Sequence, residues 1–146
     1  MSVSPSVVAA HTERLTLSLV IAYPAHEPRA SDPHYAVFEQ TRQRLGKLGK
    51  LVCWIGNADC QGDIELHHDK VEFSLINDID PGKFAEAYGL QLSDEEFMAY
   101  VESEGNLLPL CIYHHRGHGG IHCLPYPLWV VQRYLCDGVH APARTE

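Results

Sequence analysis

Residues 106–122 read Asn106-Leu-Leu-Pro-Leu-Cys111-Ile-Tyr-His114-His115-Arg-Gly-His118-Gly-Gly-Ile-His122. Gly105-Asn106 closes a preceding helix and leads into Leu107–His115, a short apolar segment that ends in histidines. Beyond it, His118 and His122 are four apart, which on a helix would give them one face and let them hold one metal. Gly117, Gly119 and Gly120 argue against a regular helix here. Two readings stay open: a chain turn that returns His122, or less readily His118, to a metal, and a glycine-rich loop facing solvent or phosphate.

Upstream lies a second piece, Glu65-Leu-His67-His68. Of the ten histidines, six fall between His67 and His122, and that concentration points to metal. A histidine near an apolar strand more often bonds to backbone and does nothing else, so the evidence lies in the pieces occurring together.

The elements around these pieces are short. Leu15–Ala22 is expected as a strand, with Leu17-Ser-Leu-Val-Ile-Ala22 buried, and Tyr23–Ala30 as a Pro-rich turn. Asp32-Pro33 has the form of an N-cap followed by proline at the first helical position, starting a helix that runs to about Leu48. Lys50–Ile55 and Asp63–His67 read as extended segments joined by a hairpin-like turn, Gly56–Gly62. Val71–Gly89 is irregular, with one short helix around Lys83–Tyr88. Ser93-Asp-Glu-Glu96 is a capping box, so a helix begins at Asp94 and ends near Ser103. Pro127–Leu135 is apolar and helical, and a polar tail follows.

Taken in order, the pieces give His, Asn, His. They resemble the HNH endonuclease family, especially small stand-alone HNH proteins of bacteria and their phages. The resemblance spans roughly Leu51 to His122. Asn106-x4-Cys111-x2-His114-His115 is similar to that family's Asn-x4-Cys-x2-Cys-His run, with His114 where the second cysteine usually stands. The fold this implies is α+β: a ββα-metal (His-Me finger) core with an added N-terminal strand and helices.

The resemblance implies His68 as general base, since a neutral imidazole can take a proton from water at neutral pH. It implies His67 and His115 as ligands of one divalent cation, Mg, Mn, Ni or Zn, acting as a Lewis acid at the leaving oxygen, with His122 as a further candidate. Asn106 takes the role of orienting the base. Cys53, Cys60, Cys111 and His114 would make a closed Cys3His structural zinc site. The family's usual Cys-x2-Cys pair is here stretched to six intervening residues, so buried free thiols are the alternative. Cys123 and Cys136 are expected in the core.

At 146 residues, 45% hydrophobic and 21% charged, the chain suits one compact domain. Residues 1–50 read as an extension, 51–136 as the core and 137–146 as the tail. No apolar run reaches the roughly 20 residues of a membrane-spanning helix, and Met1–Ala10 lacks the pattern of a secretory signal. A cytoplasmic location is therefore expected, and the resemblance implies a bacterial or phage-infected host. Five cysteines are an odd count that argues against a disulfide framework.

The net charge of −8 opposes simple adhesion to nucleic acid. Arg42, Arg44, Lys47 and Lys50 form the one concentrated basic patch, which doubles as the dipole-complementing end of a helix. With Arg116 and Arg133 they are the candidates for phosphate contact, while Tyr113 and Trp129 are expected mainly in the core. The function that the resemblance implies is hydrolysis of DNA, by nicking or double-strand cutting, with a homodimer or a partner nuclease subunit open. A non-catalytic zinc module is the alternative.

Overall fold

The computed structural model describes Ala9, residues 14–18 and residues 35–143. The expected N-terminal strand falls mostly outside this range. Its described part, residues 15–18, is exposed and not in a strand, with Leu15 and Leu17 both more than half exposed. The turn at Tyr23–Ala30 and the Asp32-Pro33 helix start lie outside the described residues.

Helix α1 spans Tyr35–Lys47, with Arg44 and Lys47 in its last turn, where cations complement the helix dipole. It stops because Gly49 adopts a left-handed φ of 68°. Lys50 N–H then reaches back to the Leu45 carbonyl at 2.8 Å and Gly49 N–H to Gly46 at 3.2 Å, a Schellman closure. Leu45 from this helix packs with Leu66 and Leu107, flanked by Phe38 and Leu51.

The sheet has two antiparallel strands, β1 (Ile64–His68) and β2 (Leu107–Cys111), in a register that opposes Glu65 to Leu110, His67 to Leu108 and His68 to Leu107. This corrects the expected hairpin. Lys50–Ile55 forms no strand, and its tie to the sheet is one bond from Trp54 N–H to the Pro109 carbonyl, 2.9 Å. Proline has no N–H to give a ladder, so Pro109 suits a strand near the sheet's edge. The segment 56–62 instead folds on itself: Asp59 N–H donates to Asn57 Oδ1 at 2.9 Å, and Gly56 and Gly62 take φ of 62° and 86°.

Between β1 and β2 the chain builds a small helical lobe. It comprises a 3-10 turn, Phe73–Asp78, then α2, Pro81–Ala87, and α3, Asp94–Val101. The capping box at Ser93 and Glu96 is present as expected. Val71, Ile76, Phe84, Phe97 and Val101 form this lobe's own core. After β2 comes α4, only four residues long (Ile112–His115), and then α5, Tyr126–Val130, continued by a 3-10 turn, Val131–Arg133. Trp129, 1% exposed, packs with Ile55 and Leu110. The architecture is α+β, and among the described residues no helix is long and apolar enough to cross a membrane.

Successive side chains of a strand point to opposite faces. In β1, Leu66 and His68 face α1, while Glu65 and His67 face α4 and the turn beyond it, as their contacts show.

Candidate metal centre

Two clusters of ligand-type side chains meet at α4, and within each the donor atoms all lie within 4.8 Å of one another. The first joins His67, His115 and His122, with ring centroids 4.9 to 5.2 Å apart. His122 arrives because the chain folds back on α4: His122 N–H donates to the His115 carbonyl and Ile121 N–H to that of His114, both at 3.1 Å. A Cβ at Gly120 would lie 2.5 Å from the His115 carbonyl oxygen, so this return requires glycine there. His118 is exposed and belongs to neither cluster.

The imidazoles of this cluster are poised as ligands. Burial first, then the neighbouring His115, His122 and His68, push His67 down to about 3, so it keeps its lone pair at neutral pH. His122 is lowered by burial and by His115. Glu65 Oε1 accepts from His115 Nδ1 at 2.9 Å, which leaves His115 Nε2 as the nitrogen free for a cation. Such a carboxylate partner fixes both tautomer and ring orientation. Burial would raise the Glu65 carboxyl, but hydrogen bonds from Arg116 and His115 hold it below its ordinary value. Arg116, 61% exposed, is itself clamped on Glu65 through Nε at 3.0 Å and Nη2 at 3.2 Å. It is thus engaged as well as available to phosphate.

The second cluster joins Cys53, Cys60, Cys111 and His114. His114 Nδ1 lies 3.3 Å from Cys111 Sγ, 3.6 Å from Cys60 and 3.7 Å from Cys53. The six-residue spacing between Cys53 and Cys60 is taken up by the Asn57 turn. Burial disfavours the Cys53 thiolate, yet hydrogen bonds from His114 and from backbone around Gly56 hold it down to about 6. Burial and the Cys53 charge push Cys60 up to about 12. The first thiolate thus makes the second costly, a penalty that a central dication removes. Three soft sulfurs and one imidazole nitrogen, with Cys111 and His114 fully buried, form a four-cornered donor set that could hold zinc. His114 Nε2 is buried with no hydrogen-bond partner among the described residues, so Nδ1 is the nitrogen turned to the thiols.

His68 stands apart from both clusters. Its Nε2 lies 2.9 Å from Glu102 Oε1, and its ring lies against Phe38 and Phe73, at centroid distances of 5.9 and 5.7 Å. Asn106, 1% exposed, does not reach an imidazole. Its Oδ1 accepts from the N–H groups of Lys70 and Val71 at 2.8 and 2.9 Å, and its Nδ2 donates to the carbonyls of Val71 and Val101 at 3.0 and 2.9 Å. Asn106 thus ties down the backbone just past His68 and does not touch the ring. The ring's partner is Glu102, which sequence reading missed and for which the sequence carries no signal. Glu65 was legible in principle, being two residues from His67 and so on its face of a strand.

Arg42, Arg44 and Lys47 are all exposed on α1, and Arg44 pairs with Glu104 at 3.0 Å. Cys136, expected in the core, is exposed just after the last turn of helix, and Cys123 is half-buried. Comparison with models of protein families, with curated proteins and with solved structures finds no match.

Proposed function

We propose that this protein is a metal-dependent endonuclease of the HNH type that hydrolyses DNA phosphodiesters, with β1, β2 and α4 as its ββα-metal core. The observation that carries the reading is the convergence of His67, His115 and His122 into an open three-imidazole cluster beside a strand end that bears His68. A three-ligand site keeps positions for water and substrate, as catalytic sites do.

In-line displacement puts the attacking water and the leaving oxygen on opposite sides of phosphorus. A base and a cation site that diverge from adjacent residues of one strand suit a phosphate lying over the strand end between them. His68 takes a proton from water, the water oxygen attacks phosphorus, and the bond to the 3′ oxygen breaks, leaving a 5′ phosphate. A divalent cation bound by the three imidazoles supplies charge stabilisation at the leaving oxygen. Glu65 holds His115 in its ligand tautomer, and Asn106 holds the backbone after His68. Exposed Arg42 and Lys47, with Arg44 shared with Glu104, give α1 a local basic face for phosphates outside the site, and a local patch of this kind matters more to an approaching polyanion than the −8 sum.

Supercoiled plasmid incubated with the protein and Mg²⁺, Mn²⁺ or Ni²⁺ tests this. Nicking that falls by about 10²–10⁴-fold in His68→Ala is the expected result. Equal activity in both proteins removes His68 from the chemistry. No activity in either favours a non-catalytic zinc module, a reading that the closed Cys53–Cys60–Cys111–His114 cluster would satisfy on its own.

A further inference from the structure

Glu102 is 1% exposed and sits at the C-cap of α3. Both features oppose a carboxylate: burial strips its water, and the helix end presents carbonyl oxygens of the same sign. The backbone is nevertheless fixed at this point, because Thr41 Oγ1 donates to the Glu102 carbonyl at 2.8 Å. At the side chain, the 2.9 Å bond to His68 Nε2 offsets part of this cost through Oε1, while Oε2 is buried with no hydrogen-bond partner among the described residues.

That bond has a chemical consequence for the ring. With Glu102 as a carboxylate, which can only accept, the 2.9 Å contact places the His68 proton on Nε2, and a neutral ring then has its lone pair on Nδ1. Nδ1 makes no hydrogen bond among the described residues and is not among the sealed-off unpaired atoms, and the side chain keeps a tenth of its surface open. With Phe38 and Phe73 against the ring, a flip that would exchange the nitrogens is hindered.

We propose that Glu102 is the positioning residue for His68, holding the imidazole as the Nε2–H tautomer so that Nδ1 is the atom offered to water. This rests on the nuclease reading above for its use, but not for its geometry. In the reaction, a proton leaves water for Nδ1, and the resulting cation is stabilised by Glu102 through the Nε2–H bond, the arrangement that makes carboxylate–histidine pairs effective.

Nitrogen NMR of the imidazoles in the zinc-loaded protein at neutral pH tests it, with the His68 signal assigned by its loss in His68→Ala. The expected spectrum has His68 protonated on Nε2 with Nδ1 bare. Glu102→Gln, whose amide can donate as well as accept, mixes the two tautomers and lowers kcat for plasmid nicking by about 10²–10⁴-fold, with KM and metal content unchanged. A proton on Nδ1 in the unaltered protein, or an unmoved tautomer in Glu102→Gln, overturns the proposal. If Glu102→Gln does not fold, the spectrum of the unaltered protein decides alone. The expected tautomer in a protein that nicks no plasmid retires the nuclease reading and leaves the positioning by Glu102 supported.

Discussion

The two clusters on either side of α4 use adjacent residues, His114 and His115, for opposite ends. His114, itself fully buried, turns into a set of three thiols and one imidazole, whereas His115 turns toward a partly exposed set of three imidazoles. The first has four donors, enough to close a tetrahedral site; the second has three borderline donors and an exposed member, His122. Closed sites of the first kind stabilise folds, and open sites of the second kind leave positions for chemistry. A helix of four residues has no stability of its own, so the burial of Cys111 and His114 and the bonds from Ile112 and Tyr113 N–H to the Asp63 and Gln61 carbonyls and from Trp129 Nε1 to the His114 carbonyl put His115 in place.

The sharpest way to break this contrast is Cys111→Ser. It is expected to remove bound zinc and to cost several kcal/mol, at roughly 3 °C of melting temperature per kcal/mol, measured by metal analysis and thermal melting. An unchanged melt would mean that the thiol cluster does not support the fold. His122→Ala attacks the other side: the weakly held second cation and nicking activity are lost, while one tight zinc and the melting temperature remain. Nicking should fall by more than the roughly 10–100-fold that removal of an outer partner costs.

Glu65→Gln leaves all ligands in place and frees the His115 ring. Cation affinity at the imidazole cluster is expected to weaken about 10–100-fold in calorimetric titration, with zinc at the thiol cluster unaffected; equal weakening at both would erase the division between them. Acidification comes next. The unfolded chain takes a proton on His67 near its ordinary value of 6.5, while the folded, metal-free protein refuses it until about 3. The unfolded state therefore binds more protons in that window, and stability, complete above pH 6.5, falls as pH drops toward 3. Between pH 7 and pH 5 the loss is about 2 kcal/mol from His67, readable in urea midpoints, with His122 adding in the same direction.

The smallest effect is expected at the basic face of α1. Arg42→Ala with Lys47→Ala should leave both metal contents intact and reduce the slope of log affinity against log salt for duplex DNA by about 0.9 for each phosphate that is no longer neutralised. An unchanged slope would assign those cations to the helix dipole alone.

Local physics made much of this protein readable from its residues. The capping box at Ser93, the helix that ends at Gly49 and the short helix after Asp80 each follow from interactions within a few positions, so composition and spacing suffice. That the side chains of each cluster would lie together was also legible, because few residue types can serve as metal ligands and they are concentrated here. Pairings across long separations were not. Trp54 and its neighbours have a strand-like pattern, yet β1 pairs with β2 beyond a lobe of 38 intervening residues, since strand partners are chosen by packing and not by proximity in sequence. The faces of His67 and His68, the return of His122 over Gly120 and the meeting of His68 with Glu102 likewise needed three dimensions. Each depends on which surfaces are buried together, a quantity that no single stretch of the chain contains.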